Sequence, residues 1–253
     1  MNRDTAQAIF DTYAPAMAYV EVRRPHGNIG VATAFHVRDG IFVTARHVVE
    51  NCEILRLATT VDYSTNALTN LQEAGAATIK AGPFFHPDPA IDLAILETAE
   101  FIAPDVPIGH LNPRRVPVLT PVLLMGYPPI PLAPKPTLVA LTAEVSAVID
   151  SYDGTGPHLI LTSMARGGLS GGLVVGLGTD DEERGALGII TRSFVRNGQP
   201  EELGYLAALP IDVVYSDDGL FDSKLDWYFS PNRKRWAEQT IRGQPLNPKP
   251  NDR

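Results

Sequence analysis

The chain has 253 residues, of which 44% are hydrophobic and 20% charged, and its formal net charge is -8. That length suits one large globular domain or two small ones, and the acidic balance argues against general nucleic-acid binding, which needs a basic face. Apolar runs such as Val116 to Met125 are broken by proline and fall well short of the ~20 residues that cross a bilayer as a helix, so no membrane association is expected.

Asp4 or Thr5 caps a short helix through about Tyr13, stopped by Pro15. The N-terminus lacks a basic start followed by an apolar core, so no secretory signal is expected. Cys52 is the only cysteine; it rules out an internal disulfide and agrees with a reducing compartment, so the expected location is cytoplasmic. From Met17 the pattern turns to short alternating runs, Ala18 to Arg23 and Val31 to Val37, with a turn at Arg38-Asp39-Gly40 into Ile41-Phe42-Val43. Runs of this kind separated by Gly, Asn and Pro point to an antiparallel all-β sandwich or barrel. At Thr44-Ala45-Arg46-His47-Val48-Val49 a strand ends and a histidine sits at its lip, opening one helical turn. Leu57 to Lys80 is polar and irregular and suits exposed hairpins.

Ile91-Asp92-Leu93-Ala94-Ile95-Leu96 has the pattern of a buried strand with one carboxylate near its start. Burying a lone carboxylate is costly unless it is hydrogen-bonded, so Asp92 needs a partner, and a histidine Nδ1–H would serve. Glu97 to Pro117, with four prolines and no period, reads as a linker. Strands resume at Val118 to Tyr127, Leu138 to Ile149 and His158 to Ser163. Then comes Arg166-Gly167-Gly168-Leu169-Ser170-Gly171-Gly172-Leu173, followed by runs at Leu173 to Val175, Gly185 to Arg192 and Gly204 to Ile211. Nothing repeats at a fixed period, which excludes a solenoid.

The glycine-rich octapeptide has two readings. It is a conformational turn, or it folds tightly around a nucleophilic serine, with the N–H groups of Gly168 and Ser170 forming an oxyanion hole. Chain order helps to discriminate, because His47, Asp92 and Ser170 occur in that sequence. The G-x-S-x-G elbow of α/β-hydrolases demands a histidine after the serine, and His158 is the last in the chain. A subtilisin-type order needs an Asp before His47, and Asp4, Asp11 and Asp39 lie in a terminus or a turn.

Thr44-Ala45-Arg46-His47-Val48, Asp92-Leu93-Ala94-Ile95-Leu96 and Gly168-Leu169-Ser170-Gly171-Gly172 together resemble the T-A-x-H, D-[IL]-A-[IL]-L and G-x-S-G-G segments of trypsin-like, chymotrypsin-fold serine proteases. Weaker matches at Gly188 to Thr191 and Ala208 to Pro210 resemble later strands of bacterial members. The resemblance spans about Ala18 to Ile211. It implies two six-stranded antiparallel β-barrels, one within 1–105 and one within 106–216, with His47, Asp92 and Ser170 as a catalytic triad between them. A C-terminal helix and disordered tail are expected in 217–253, the helix starting at Ser230-Pro231 and stopping at Gly243.

The resemblance further implies serine endopeptidase activity through an acyl-enzyme, on a protein or peptide substrate, with no metal or cofactor. It places the specificity pocket near Met164 and Ala165 and pairs the Thr191-Arg192-Ser193 strand with substrate backbone. Neither Met164 nor Ala165 is charged, so a small or apolar residue before the scissile bond is expected rather than a basic one. Arg192 reads equally well as facing the cleft or solvent. Leu169 replaces the Asp that activatable members carry before the serine, so activation by N-terminal clipping is not expected, and a regulatory protein partner is one way to form the loop. Leu173 stands where the family has proline, a packing change. The other histidines show no metal-ligand spacing, and Arg233-Lys234-Arg235 reads as an exposed helical face. The alternative from another class is a catalytically silent pseudoprotease that keeps the fold as a binding module.

Overall fold

The computed structural model describes residues 3–62, 67–68, 75–100, 103–106, 116–150, 156–164, 166–178, 184–194 and 205–214. The expected C-terminal helix and tail, Ala165, and most of the acidic turn before Arg184 lie outside the described residues.

The leading helix α1 spans Arg3–Tyr13 and a short 3-10 turn, Ala14–Ala16, ends it at Pro15. It buries Ile9 and Tyr13. Among the described residues the strands that follow are β1 (Met17–Arg23), β2 (Ile29–Arg38), β3 (Ile41–Thr44), β4 (Glu53–Thr59), β5 (Val61–Asp62), β6 (Ala67–Leu68), β7 (Gly75–Ala77), β8 (Ile79–Phe85) and β9 (Ala94–Thr98). One helical turn, α2 (Arg46–Val49), sits between β3 and β4. The second half has β10 (Pro121–Gly126), β11 (Val139–Asp150), β12 (Pro157–Met164), β13 (Leu173–Leu177), β14 (Arg184–Phe194) and β15 (Tyr205–Pro210).

The first half is a seven-stranded antiparallel half-barrel in the order β7-β4-β1-β2-β3-β9-β8, and the second is a closed six-stranded barrel, β10-β11-β12-β15-β14-β13. The expected pair of six-stranded barrels is thus realised as one closed barrel and one half-barrel. Closure in the second half follows from β10, which pairs with both β11 and β13.

Alternation along the strands explains why the two halves adhere. Successive side chains of a strand point to opposite faces, and here both faces are apolar. In β1, Ala18, Val20 and Val22 enter the core of the first half while Met17 and Tyr19 enter a second cluster. In β10, Val122 and Leu124 fill the closed barrel while Leu123 and Met125 join that same second cluster. Phe35, Val43, Leu173, Val175 and Ile189 complete a continuous interface core, and each such buried side chain contributes about 1.5–3 kcal/mol. Leu173, expected as a packing change, is one of these interface residues.

The segment expected as a linker is partly bound to the first half. Thr98 and Ala99 donate their N–H groups to Gly40 O and Thr78 O, Ala103 and Val106 are buried, and the Val106 N–H donates to His36 O at 3.0 Å. Residues 107–115 lie outside the described set.

Candidate active site

His47 stands on α2, whose first residue follows Ala45 in extended conformation. One turn has little intrinsic stability, so its orientation comes from packing. Val48 and Val49 are buried in the core of the first half. Arg46 donates from Nε and Nη2 to Glu50 Oε1 at 3.0 and 2.7 Å, and its guanidinium lies 4.9 Å from the centre of the Phe85 ring.

Asp92 lies just before β9. The strand begins at Ala94 rather than at Ile91, because the chain turns at 88–91: Ile91 N–H bonds Asp88 O, and Ala90 N–H bonds Asp88 Oδ1. Leu93 to Leu96 are fully buried and fix the position. Asp92 Oδ1 accepts the His47 backbone N–H at 2.9 Å, and Oδ2 lies 2.7 Å from His47 Nδ1. Burial on its own would raise the Asp92 pKa, but the hydrogen bonds and charge of His47, with a smaller contribution from Arg192, outweigh it and hold the carboxyl below its ordinary range. An ionised carboxylate only accepts, so Nδ1 carries the proton and Nε2 presents its lone pair. Nε2 is 3.0 Å from Ser170 Oγ. The His47 side chain is 49% exposed and that of Asp92 14%, so the imidazole is reachable from solvent while the carboxylate behind it is shielded.

Ser170 sits in a loop shaped by two glycines with positive φ, Gly168 at 86° and Gly171 at 82°. A Cβ on Gly171 would collide with the carbonyl of Thr33. Leu169, where the family pattern has Asp, is fully buried in the core of the closed barrel and pins the loop from below. Among the described residues no acceptor takes the N–H of Gly168 or of Ser170, whereas those of Gly171 and Gly172 bond Ile190 O and Leu169 O.

Thr33 on β2 is the residue that sequence reasoning missed. Its hydroxyl donates to Gly168 O at 2.7 Å and accepts the Tyr127 N–H at 2.8 Å. Its N–H donates to Ser170 O at 3.0 Å, and its carbonyl accepts the Thr44 hydroxyl at 2.7 Å. One buried residue of the first half therefore fastens the serine loop of the second. A threonine within an alternating strand carries no signal of such a role.

Beside Ser170 and His47 opens a cleft of about 390 Å³. Thr191, Arg192 and Ser193 line it, joined by Ile190 and Leu206 from the barrel core and by Arg166 and Gly167 from the serine loop. That consecutive residues of β14 reach one cleft reflects a β-bulge: Ile190 pairs with Ala208 and Arg192 with Ala207, leaving Thr191 as the extra residue. Thr191 is buried and its hydroxyl has no partner among the described residues. Met164 does not line this cleft. It ends β12 beyond a register shift, opposite Tyr205, and is 51% exposed. Among the described residues no cluster of His, Cys, Asp and Glu is arranged to hold a metal.

Comparison with known proteins gives a family and a fold. No curated protein sequence matches the chain. Among solved structures, the HtrA-type protease AlgW with tripeptide superposes with a TM-score of 0.58 at 19% identity, covering 82% of this chain and 60% of that one. The Rv3671c protease from M. tuberculosis in its active form gives 0.57 at 14% identity, covering 83% and 82%. The serine endoprotease from Yersinia pestis gives 0.55 at 22% identity, covering 82% and 63%. The chain therefore spans less than two thirds of the HtrA-type protein's length, and at such identities the likeness establishes the fold. The profile of the trypsin-like peptidase domain matches residues 32–179, and with its half-barrel and closed barrel of chymotrypsin type the chain belongs to that family.

Proposed function

We propose that the protein is a serine endopeptidase in which His47, Asp92 and Ser170 form the catalytic triad. The observation that carries this reading is the continuous chain of contacts from Asp92 Oδ2 through His47 Nδ1 and Nε2 to Ser170 Oγ, at 2.7 and 3.0 Å. A serine hydroxyl is a weak nucleophile at neutral pH. As Oγ bonds to the peptide carbonyl carbon, its proton passes to His47 Nε2, and Asp92 stabilises the imidazolium at Nδ1. The resulting oxyanion is held by the N–H groups of Gly168 and Ser170, and loss of one such donor typically costs about 3 kcal/mol. Collapse breaks the C–N bond, Nε2 returns the proton to the leaving amine, and water attacks the acyl-enzyme by the reverse route.

Ile190 and Leu206 give the cleft an apolar lining, which supports a small or apolar residue before the scissile bond. The buried Leu169 cannot pair with a released N-terminal amine, so the loop forms without clipping and a protein partner is the natural regulator. No helix among the described residues is long and apolar enough to cross a membrane, and the unpaired Cys52 fits work in the cytoplasm. The test is labelling by a fluorophosphonate probe. Ser170-dependent adduct formation, abolished in Ser170→Ala, is the expected result; no labelling of the wild type, even with cell extract added, would convert the reading to a binding module.

A further inference from the structure

We propose that the cleft selects acidic segments, holding a substrate carboxylate close to the scissile bond between the guanidinium groups of Arg166 and Arg192. This rests on the peptidase reading for its kinetic consequence, but the binding it describes does not.

The two arginines reach the cleft from different parts of the chain. Arg166 opens the serine loop and is exposed; Arg192 follows the β14 bulge and is half-buried. Both line the same cleft as Ser170 and His47, and none of the described residues lining it is acidic. The two arginines are thus the ionic side chains in its described lining, although the whole chain carries a formal net charge of -8. Long-range repulsion of an acidic peptide is screened beyond about 8–10 Å at physiological salt, so at contact distance the cleft's own charge decides.

Arginine is also the side chain whose planar fork matches a carboxylate with two parallel hydrogen bonds. Arg192 serves Asp92 as well, adding positive charge on the triad side of the cleft. A basic peptide meets two like charges there. The preferred sequence is therefore an apolar residue flanked by Glu or Asp, with the apolar group against Ile190 and Leu206.

The experiment uses the full chain and fluorescein-labelled octapeptides with a central Leu flanked on both sides by Glu, Gln or Lys. Hydrolysis is read as kcat/KM with the wild type, and binding by anisotropy with Ser170→Ala. The expected result is a preference of about tenfold or more for Glu over Gln in both measurements, the size typical of a charge-assisted hydrogen bond, with Lys poorer still. The preference shrinks with added salt, is lost in Arg166→Gln/Arg192→Gln, and turns toward the Lys peptide in Arg166→Glu/Arg192→Glu. Equal handling of Glu and Gln peptides by the wild type overturns the proposal without any variant having to fold, as does a preference that survives the double Gln substitution. If no peptide is cut and Ser170 is unlabelled, the peptidase reading fails, and the anisotropy series still decides the charge selection.

Discussion

At the residue scale the site turns on one carboxylate. Asp92 is held ionised because it accepts both the backbone N–H and the ring Nδ1–H of His47. In Asp92→Asn the amide donates to Nδ1, the ring proton moves to Nε2, and the lone pair facing Ser170 is gone. We expect kcat on a cleavable peptide to fall about 10⁴-fold, the loss typical of a triad in the wrong tautomer, with little change in far-UV dichroism. The same substitution has a signature in stability. Because the folded pKa is lowered, the contribution of Asp92 is present above its unfolded value and is lost as pH falls through the folded one. Urea midpoints measured from pH 6 down to pH 3 should therefore decline less steeply in Asp92→Asn than in the wild type. Identical slopes would show that the carboxylate gains nothing from His47. The need of Asp92 for a hydrogen-bonding partner was legible in the sequence, because a lone buried carboxylate is untenable, and a histidine Nδ1–H is one group that serves. The contribution of Thr33 was not, since nothing in an isolated strand tells which carbonyl from a distant segment its hydroxyl will meet.

At the scale of elements, the strands were readable wherever apolar residues alternate or run together between turn residues, and the features that break the ladder were hidden. The bulge at Thr191 is the clearest case. Gly188 to Arg192 reads as a continuous strand, on which Thr191 and Arg192 would face opposite ways; the extra residue brings both to the cleft. The orientation of Arg192 was therefore undecidable from alternation alone. A second hidden element is the strap at 103–106, in a segment whose prolines suggest a free linker. His36 on β2 is fully buried and holds it: Nδ1 lies 3.0 Å from Pro104 O, and Nε2 accepts the Gly40 N–H at 2.9 Å. Those partners fix Nδ1 as the protonated nitrogen of a neutral ring. Burial lowers its pKa from the ordinary 6.5, against the opposing pull of the Pro104 carbonyl and of Asp105 and Asp39. A depressed histidine pKa gives stability that is complete above the unfolded value and is lost as pH falls from there through the folded one. His36→Phe should cost about 1–3 kcal/mol near pH 7.5, because two polar backbone groups lose their partner. It should also flatten the decline of urea midpoints between pH 7 and pH 5. A slope unchanged by the substitution would mean that the ring titrates freely and does not hold the strap.

At the scale of the whole molecule, the two halves are joined by more than a shared cleft. Their strands put alternate side chains into a common core, in which Tyr127 packs edge-on against Tyr19 at 5.7 Å and its hydroxyl lies 2.9 Å from Thr60 Oγ1. That core was only half visible in the sequence: strands apolar on both faces announce burial, but which sheet covers the second face depends on how the halves dock. Over this apolar contact Thr33 adds the polar fastening, binding Gly168 O, Ser170 O and the Tyr127 N–H at one point. With a continuous core and a bonded junction, neither half exposes its inner face without the other losing its cover. Urea unfolding should accordingly be a single transition, with far-UV dichroism, near-UV dichroism and fluorophosphonate reactivity lost at the same midpoint. Thr33→Val tests the junction because it keeps the shape while removing one donor and one acceptor. Gly168 O and the Tyr127 N–H then stay buried without that partner, which costs about 1–3 kcal/mol, and the serine loop is released from the first half. If the fastening matters to the site as well as to the fold, labelling of Ser170 in this variant will fall at urea concentrations where far-UV dichroism is still native. Coincident curves in Thr33→Val, with an unchanged midpoint, would mean that the apolar core alone holds the halves in register and that the hydroxyl is dispensable.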